Sequence, residues 1–470
     1  MAAKQIHLNA FEMNCVGHLA RGMWRHPADS RYRYIDLDYW NEEARLLEAA
    51  GCFDALFLAD VLGTYETAPG DSDGALREAH QVPVNDPLLL VPALAQVTSQ
   101  LGFAVTISAS YEPPFAHARR MSTVDHLTKG RVGWNVVTSY LDNAARNFGL
   151  DGQIEHDERY ERAEEYLEVC YELWEGSWED DAVLRDREDG IFTDPRKVHY
   201  IDHDGRYFRV AGPHLCEPSP QRTPVIFVAT GSPRGKQFAG QHAEAVFLAS
   251  ASLPTMRAEI AEIREIAVRH GREPNDVKIF NHLRCVVGRT HDEAEGKAED
   301  YAQFRTVQSR FFGLDLSHYD PATLLQDVRL PGDGSGRGPA RFIGEFIQQW
   351  AGRPTVADLR ATIWRHGWID PFSVIGTPDE IADRIEEFIE VTDVDGFNVH
   401  SNVSLESYRD FVALVIPVLQ DRGLFRAAYD PAQSTLRERL FGTGSIRLPP
   451  THPGAACRRA TAHVSAAVTG

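Results

Sequence analysis

The residues best equipped for chemistry stand at the ends of short apolar runs. FDALFLAD closes on Asp60, AVTISAS carries Thr106, Ser108 and Ser110 at alternate positions, and WNVVTS holds Asn135, Thr138 and Ser139. Alternate residues share a face of a strand, so Thr106, Ser108 and Ser110 line one side of their strand and Asn135 and Ser139 one side of the next. His156 and Tyr160 lie four residues apart at the start of a helical pattern, so they share a face and can point at one ligand. The turn Gly231-Ser232-Pro233-Arg234-Gly235 joins another apolar run to a helix. Ser232 is the natural N-cap there, and the same geometry offers backbone N–H groups to an anion. Hydroxyls and helix N-termini in this pattern point to a phosphate-bearing cofactor. His18, in GHLARGMWRH, follows the first apolar run on a loop able to reach the same place, which suits a substrate-side role.

Other patterns exclude other chemistries. His199 and His203 have the spacing of a helical metal pair, yet they sit in KVHYIDHDGRYFRV, which reads as a β-hairpin turning at Asp204-Gly205. On a strand, four residues span roughly 13 Å, too far for one ion; no metal is expected. The glycine run Gly332–Gly338 lacks a preceding strand and is followed by Pro339, so it is not a dinucleotide fingerprint. No phosphate-binding P-loop, H-E-x-x-H or G-x-S-x-G is present. A net charge of −20 without a Lys/Arg cluster argues against nucleic acid. The six cysteines are scattered, several inside apolar runs, and read as small buried hydrophobes. Without a leader pattern or a long apolar run, a cytoplasmic protein that does not enter the membrane is expected.

These groups need a scaffold that gathers strand ends. Strand candidates at 5–13, 53–59, 102–110, 132–139, 224–230, 245–250, 277–288 and 396–400 alternate with helical patterns. Among the helices, one over 87–100 has Asp86 as N-cap, one starting at Pro378 has Thr377, and the last spans 405–420. Eight such units predict a (β/α)₈ TIM barrel, an α/β fold whose sites lie at the C-terminal strand ends. Residues 1–445 form one domain in this reading, with insertions at about 176–223 and 306–370. The Ala-, Pro- and Thr-rich tail, 446–470, is expected to be extended or disordered.

Taken together, HLNAF, WRHP, RVGWNVVTS, ARNFG, EHDERY, PVIFVATGSPRG, IGTPDEIA and DGFNV resemble the bacterial-luciferase-like, flavin-dependent monooxygenases. Within them the chain is most similar to the subgroup of nitrilotriacetate, dibenzothiophene sulfone and dimethyl sulfide monooxygenases, the last above all. The resemblance implies a barrel taking reduced FMN at its C-terminal mouth. It implies a separate NAD(P)H:flavin reductase as partner, since the chain has no nicotinamide fingerprint of its own. The reaction it implies is oxygenation of a small organic substrate by O₂, a sulfide or sulfone first, in a homodimer or homotetramer. By the same resemblance, Asp60, Thr106, Asn135, Ser139, His156, Tyr160, Gly231 and Ser232 are FMN positions. His18 and Phe57 fall near the substrate and the reactive face of the flavin. The insertion at 306–370 and the ATGSPRG turn depart from the dimethyl sulfide type. Alternatives are a chelating amine or halogenated aromatic as substrate, a deazaflavin-dependent oxidoreductase, and a barrel hydrolase built on carboxylates such as Asp60 and Glu112.

Overall fold

In the computed structural model, which describes residues 4–49, 51, 53–66, 70–250, 252–305, 319–328, 343–344, 346–348, 350–366 and 372–459, the expected strands form one closed sheet. They are β1 (His7–Met13), β2 (Ala55–Ala59), β3 (Gly102–Ser108), β4 (Val132–Val137), β5 (Val225–Ala229), β6 (Ala245–Leu248), β7 (Lys278–Val287) and β8 (Gly396–His400). Each pairs in parallel with its sequence neighbours, and β1 pairs with β8 to close the barrel. A further strand, Ser373–Gly376, extends the sheet along the outer half of the long β7.

Period-two alternation divides the core. Leu8, Leu56, Leu58, Phe103, Val105, Trp134, Ile226 and Val228 point outward into the helix layer. Phe11, Phe57, Ala104, Phe227 and Phe280 fill the lumen, and Leu436 and Leu440 of the short helix Leu436–Phe441 pack with them. The large rings fit because their neighbours are small. A Cβ on Gly133 would stand 2.7 Å from the Phe227 ring, so β4 leaves the space that β5 fills.

Capping follows the residue types. Thr377 accepts from the Glu380 backbone N–H and Glu380 accepts in return from Thr377, completing a capping box at Pro378–Thr392. Asp86 accepts from Leu88 as expected. The helix expected over 87–100, however, is a 3₁₀ turn, Pro87–Leu89, followed by Val91–Val97. Pro92 has no N–H to give to residue 88, and its ring would crowd that carbonyl. Pro417 acts in the same way on the last helix: Glu406–Asp410 and Ile416–Asp421 are separated by a wide π turn, Phe411–Val415.

The 176–223 excursion leaves the barrel ahead of β5. Its hairpin pairs His203–Asp204 with Arg209–Val210, and the turn runs from Gly205 to Phe208, so Asp204 is a strand residue. The Glu165 carboxylate accepts from the backbone N–H groups of Tyr207 and Phe208 at 2.8 and 2.7 Å, which fixes the longer loop against the helix His156–Tyr171. His199 pairs with Glu179 and His203 with Glu172. Each imidazole has its own carboxylate, and no group of metal-ligating side chains is found among the described residues.

Much of 306–370 lies outside the described residues, the glycine run included. Within the described part, Leu325, Ile343, Phe346, Val356, Leu359 and Ile363 form a small cluster of their own. Tail residues 446–459 are packed rather than free. Leu448 and His452 are buried, the His452 Nε2–H donates to the His242 carbonyl at 2.8 Å, and Arg458 pairs with the buried Glu175 at 2.7 Å. No helix among the described residues is long and apolar enough to cross a membrane.

One ion pair ties the helix Leu436–Phe441 to the barrel. Arg437 meets Glu244 with two hydrogen bonds of 2.6 and 2.9 Å, both side chains 1% exposed, while Glu244 also accepts from the Ile226 N–H. Removing one partner of such a pair strands a buried charge, which costs about 3–5 kcal/mol. Arg437→Met is expected to lose that much in denaturant unfolding, and Glu244→Gln combined with it to recover part. A loss below about 1 kcal/mol for Arg437→Met would show that the pair does not hold this helix in place.

Candidate active site

Two groups of residues face each other at the C-terminal mouth of the barrel. The first begins where β5 ends. Ser232 caps the helix Pro233–His242 by accepting from the Gly235 N–H at 2.8 Å, with Pro233 preset at the first helical position. Gly235 stands inside a ring of hydroxyls. A Cβ there would lie 2.0 Å from Thr230 Oγ1, 2.6 Å from Tyr160 OH and 2.8 Å from Ser232 Oγ. Thr230 Oγ1 is buried and has no hydrogen-bond partner. The Arg234 guanidinium lies 5.5 Å from the Tyr160 ring centre and pairs with Glu164. Three hydroxyls, a helix N-terminus and a nearby cation fit a phosphate monoester.

His156 and Tyr160 share a helix face, as their spacing requires, with rings edge to face at 5.3 Å. Only Tyr160 enters the hydroxyl ring. The His156 Nδ1 lies 2.5 Å from Asp157, and Glu155 caps this helix from the Asp157 and Glu158 N–H groups. Gly231 is exposed on the turn. Thr230, absent from the sequence reading, stands directly after β5, where a strand-end hydroxyl is the available signal.

The polar ends of β3 and β4 continue the wall. Thr106 and Asn135 are register partners; Asn135 Nδ2 donates to Thr106 Oγ1 at 2.9 Å, and its buried Oδ1 has no partner. Ser139 Oγ donates to Ser108 Oγ at 2.9 Å. Ser139 holds φ at 56°, a left-handed conformation rare for serine, and its carbonyl accepts from Arg159. An unpaired amide oxygen of this kind suits a ring N–H.

Asp60, one residue beyond β2, has its carboxyl pushed up to about 7, by burial first and by the Asp86 carboxylate second. A carboxyl that binds its proton more tightly folded than unfolded stabilises the fold at low pH, and that contribution is lost as pH rises through the folded value. Asp60→Asn, neutral throughout, is therefore expected to gain on the native chain from about pH 5 to about pH 8, by on the order of 2 kcal/mol after allowance for partial exposure. Parallel melting curves for the two chains across that range would contradict the assignment.

The second group is centred on β1 and β8, across the barrel from β5, and reaches through Phe57 on β2 to Phe247 on β6, which pairs with the end of β5. Phe11 is its centre: the rings of His18, Phe57, Phe247 and His400 all meet it edge on, at 4.7–5.2 Å. Burial, with Arg31 and Arg284 behind it, lowers His18 to about 3, so its imidazole is neutral. Arg31 positions this side. It pairs with Asp29 at 2.7 Å and donates to the carbonyls of Ser401 and Asn402, fastening the loop after β1 to the loop after β8. Phe11, Phe247 and His400 went unmarked in the sequence, although His400 ends DGFNVH as Asp60 ends FDALFLAD.

A hydroxyl ring that fits a phosphate at one pole and an aromatic, imidazole-rimmed floor at the other suit a phosphate-bearing aromatic cofactor in a barrel mouth. Residues 20–394 match the family model described as luciferase-like monooxygenase. The chain belongs to that family. The monooxygenase is 49% identical over 467 residues to the long-chain alkane monooxygenase of Geobacillus thermodenitrificans (strain NG80-2), covering 98% of this chain and 100% of the relative. It is 44% identical over 465 residues to the dimethyl-sulfide monooxygenase of Hyphomicrobium sulfonivorans, covering 97% and 94%. Among solved structures, a riboflavin lyase with modified FMN and the substrate riboflavin superposes with a TM-score of 0.86 at 38% identity, covering 97% and 100%. The monooxygenase is flavin-dependent and FMN is its cofactor; the hydroxyl ring at Gly235 and the unpaired Asn135 Oδ1 fit the phosphate and ring of that group.

Proposed function

We propose that this monooxygenase takes reduced FMN from a separate NAD(P)H:flavin reductase and places one atom of O₂ on a small uncharged thioether or sulfone. The observation that carries this reading is the pairing of a phosphate-sized hydroxyl ring at Gly235 with a floor of phenylalanines across the mouth. When bound, reduced FMN supplies the electrons that activate O₂. Thr230, Ser232, Tyr160 and the helix N-terminus hold its phosphate. Asp60, Thr106, Asn135 and Ser139 orient its ring, and His156 and Gly231 border the same side. Phe11, Phe57 and Phe247 exclude water and seat the substrate, and His18, neutral and hydrogen-bonded to the Phe11 backbone, turns its ring toward it. A single domain over 1–445 acting in the cytoplasm as a homodimer or homotetramer completes the proposal.

A second substrate class has its own support. The all-phenylalanine floor requires no heteroatom, and the relative at 49% identity acts on long-chain alkanes. Dimethyl sulfide, dibenzothiophene sulfone and hexadecane, each supplied with FMN, NADH and a generic flavin reductase, separate the two by mass spectrometry. A product one oxygen atom heavier from a sulfur compound supports the first reading. Turnover of hexadecane alone replaces it with the second, and turnover independent of FMN overturns both.

A further inference from the structure

His400 ends the last barrel strand with its side chain on the lumen side, in register with Arg284 of β7. The residue is 4% exposed, and neither ring nitrogen has a hydrogen-bond partner. A buried imidazole must present one N–H donor and one acceptor, and the fold leaves both unsatisfied beside the lumen. Its neighbours explain the aim. Phe11 meets its ring edge on at 4.8 Å, His282 lies at 5.8 Å, and His18 is nearly parallel to it at 6.1 Å with an interplanar angle of 19°. The two imidazoles thus stand side by side over the phenylalanine floor, His18 on the loop after β1 and His400 on β8. Arg31 bridges the carbonyls after β8 to Asp29, so their spacing is fixed by a buried strut rather than by loop drift.

We infer that His400 is a second substrate-facing residue, which with His18 brackets the reacting substrate and donates an N–H hydrogen bond to the oxygen atom arriving on it. This rests on the monooxygenase reading and adds to it a residue on the opposite side of the mouth from the phosphate ring. Burial, assisted by Arg284, His282 and His18, holds the His400 imidazolium well below its ordinary range. The group therefore acts as a fixed neutral donor and transfers no net proton. On a thioether the delivered oxygen ends as the negative end of the new S–O bond, and a preorganised donor in a dry site is aimed at that charge.

The test compares His400→Phe, which keeps ring volume and the contact with Phe11, with His400→Gln, which keeps a donor. Three quantities are read: the FMN dissociation constant, O₂ consumed, and oxygenated product per O₂, with dimethyl sulfide and hexadecane as probes. The expected result for His400→Phe is FMN affinity within about threefold of native, O₂ consumption retained, and product per O₂ lowered about tenfold in favour of H₂O₂. His400→Gln is expected to recover at least half of that coupling. Native coupling in His400→Phe overturns the inference, and so does a matching loss of FMN affinity, which would mark a structural role. A native chain that oxygenates neither probe overturns the thioether and alkane readings and this inference with them.

Discussion

Gly235→Ala is expected to raise the FMN dissociation constant about a hundredfold and leave the fold intact. The added methyl would sit within 2.0 Å of Thr230 Oγ1 and within 2.8 Å of two further hydroxyls, so the ring of oxygens must open to admit it. A hundredfold loss corresponds to about 2.7 kcal/mol, the order of two charge-assisted hydrogen bonds to phosphate. Folding has an opposite term: alanine is a better helix former than glycine by about 1 kcal/mol, which offsets the local displacement. Flavin fluorescence titration and thermal unfolding, run on the same preparation, separate the two effects. Native FMN affinity in Gly235→Ala would place the phosphate elsewhere.

His18→Phe is expected to act on the other pole. The substitution preserves a flat ring against Phe11 and removes both imidazole nitrogens, one of them hydrogen-bonded to the Phe11 backbone. Loss of a preorganised polar group beside the reacting atoms costs about 10²-fold in kcat/KM, while the FMN dissociation constant is expected to stay within a factor of about three because the phosphate ring lies across the barrel. The pH dependence offers a second check. With its imidazole held down to about 3, His18 is neutral from mild acid upward and contributes no ionisation near its ordinary value. A native rate profile whose limb near about pH 6.5 disappears in His18→Phe would show that His18 titrates during turnover, contrary to this account.

The barrel itself was legible because its signals are local. Eight apolar runs of strand length, helix caps such as Thr377 and Ser232, and the break at 176–223 depend on neighbouring residues. The strand-end part of the candidate site has local signals too. Asp60, Thr106 and Asn135 each end or line a strand, and barrel closure alone brings those ends together. Where long-range contacts decide, the sequence carries no local signal. The partner of Tyr160 at Gly235 is Thr230, a residue that becomes special only when β5 and the helix His156–Tyr171 are packed side by side. His400 meets His18 only because β8 closes on β1, joining opposite ends of the chain. The misjudged local features have local causes too: Pro92 and Pro417 interrupt helices whose apolar periodicity continues across them, and Glu165 draws the hairpin loop past Asp204-Gly205.

The central claim is that the hydroxyl ring and the phenylalanine floor serve one reaction, with reduced FMN between them. A single-turnover experiment tests it most directly. The monooxygenase is mixed anaerobically with photoreduced FMN and substrate, without any reductase, and then exposed to ¹⁸O₂. One ¹⁸O atom per product molecule, formed in proportion to the FMN bound and lost in Gly235→Ala, is the expected result. Product formed without FMN, or carrying oxygen from water, would contradict it.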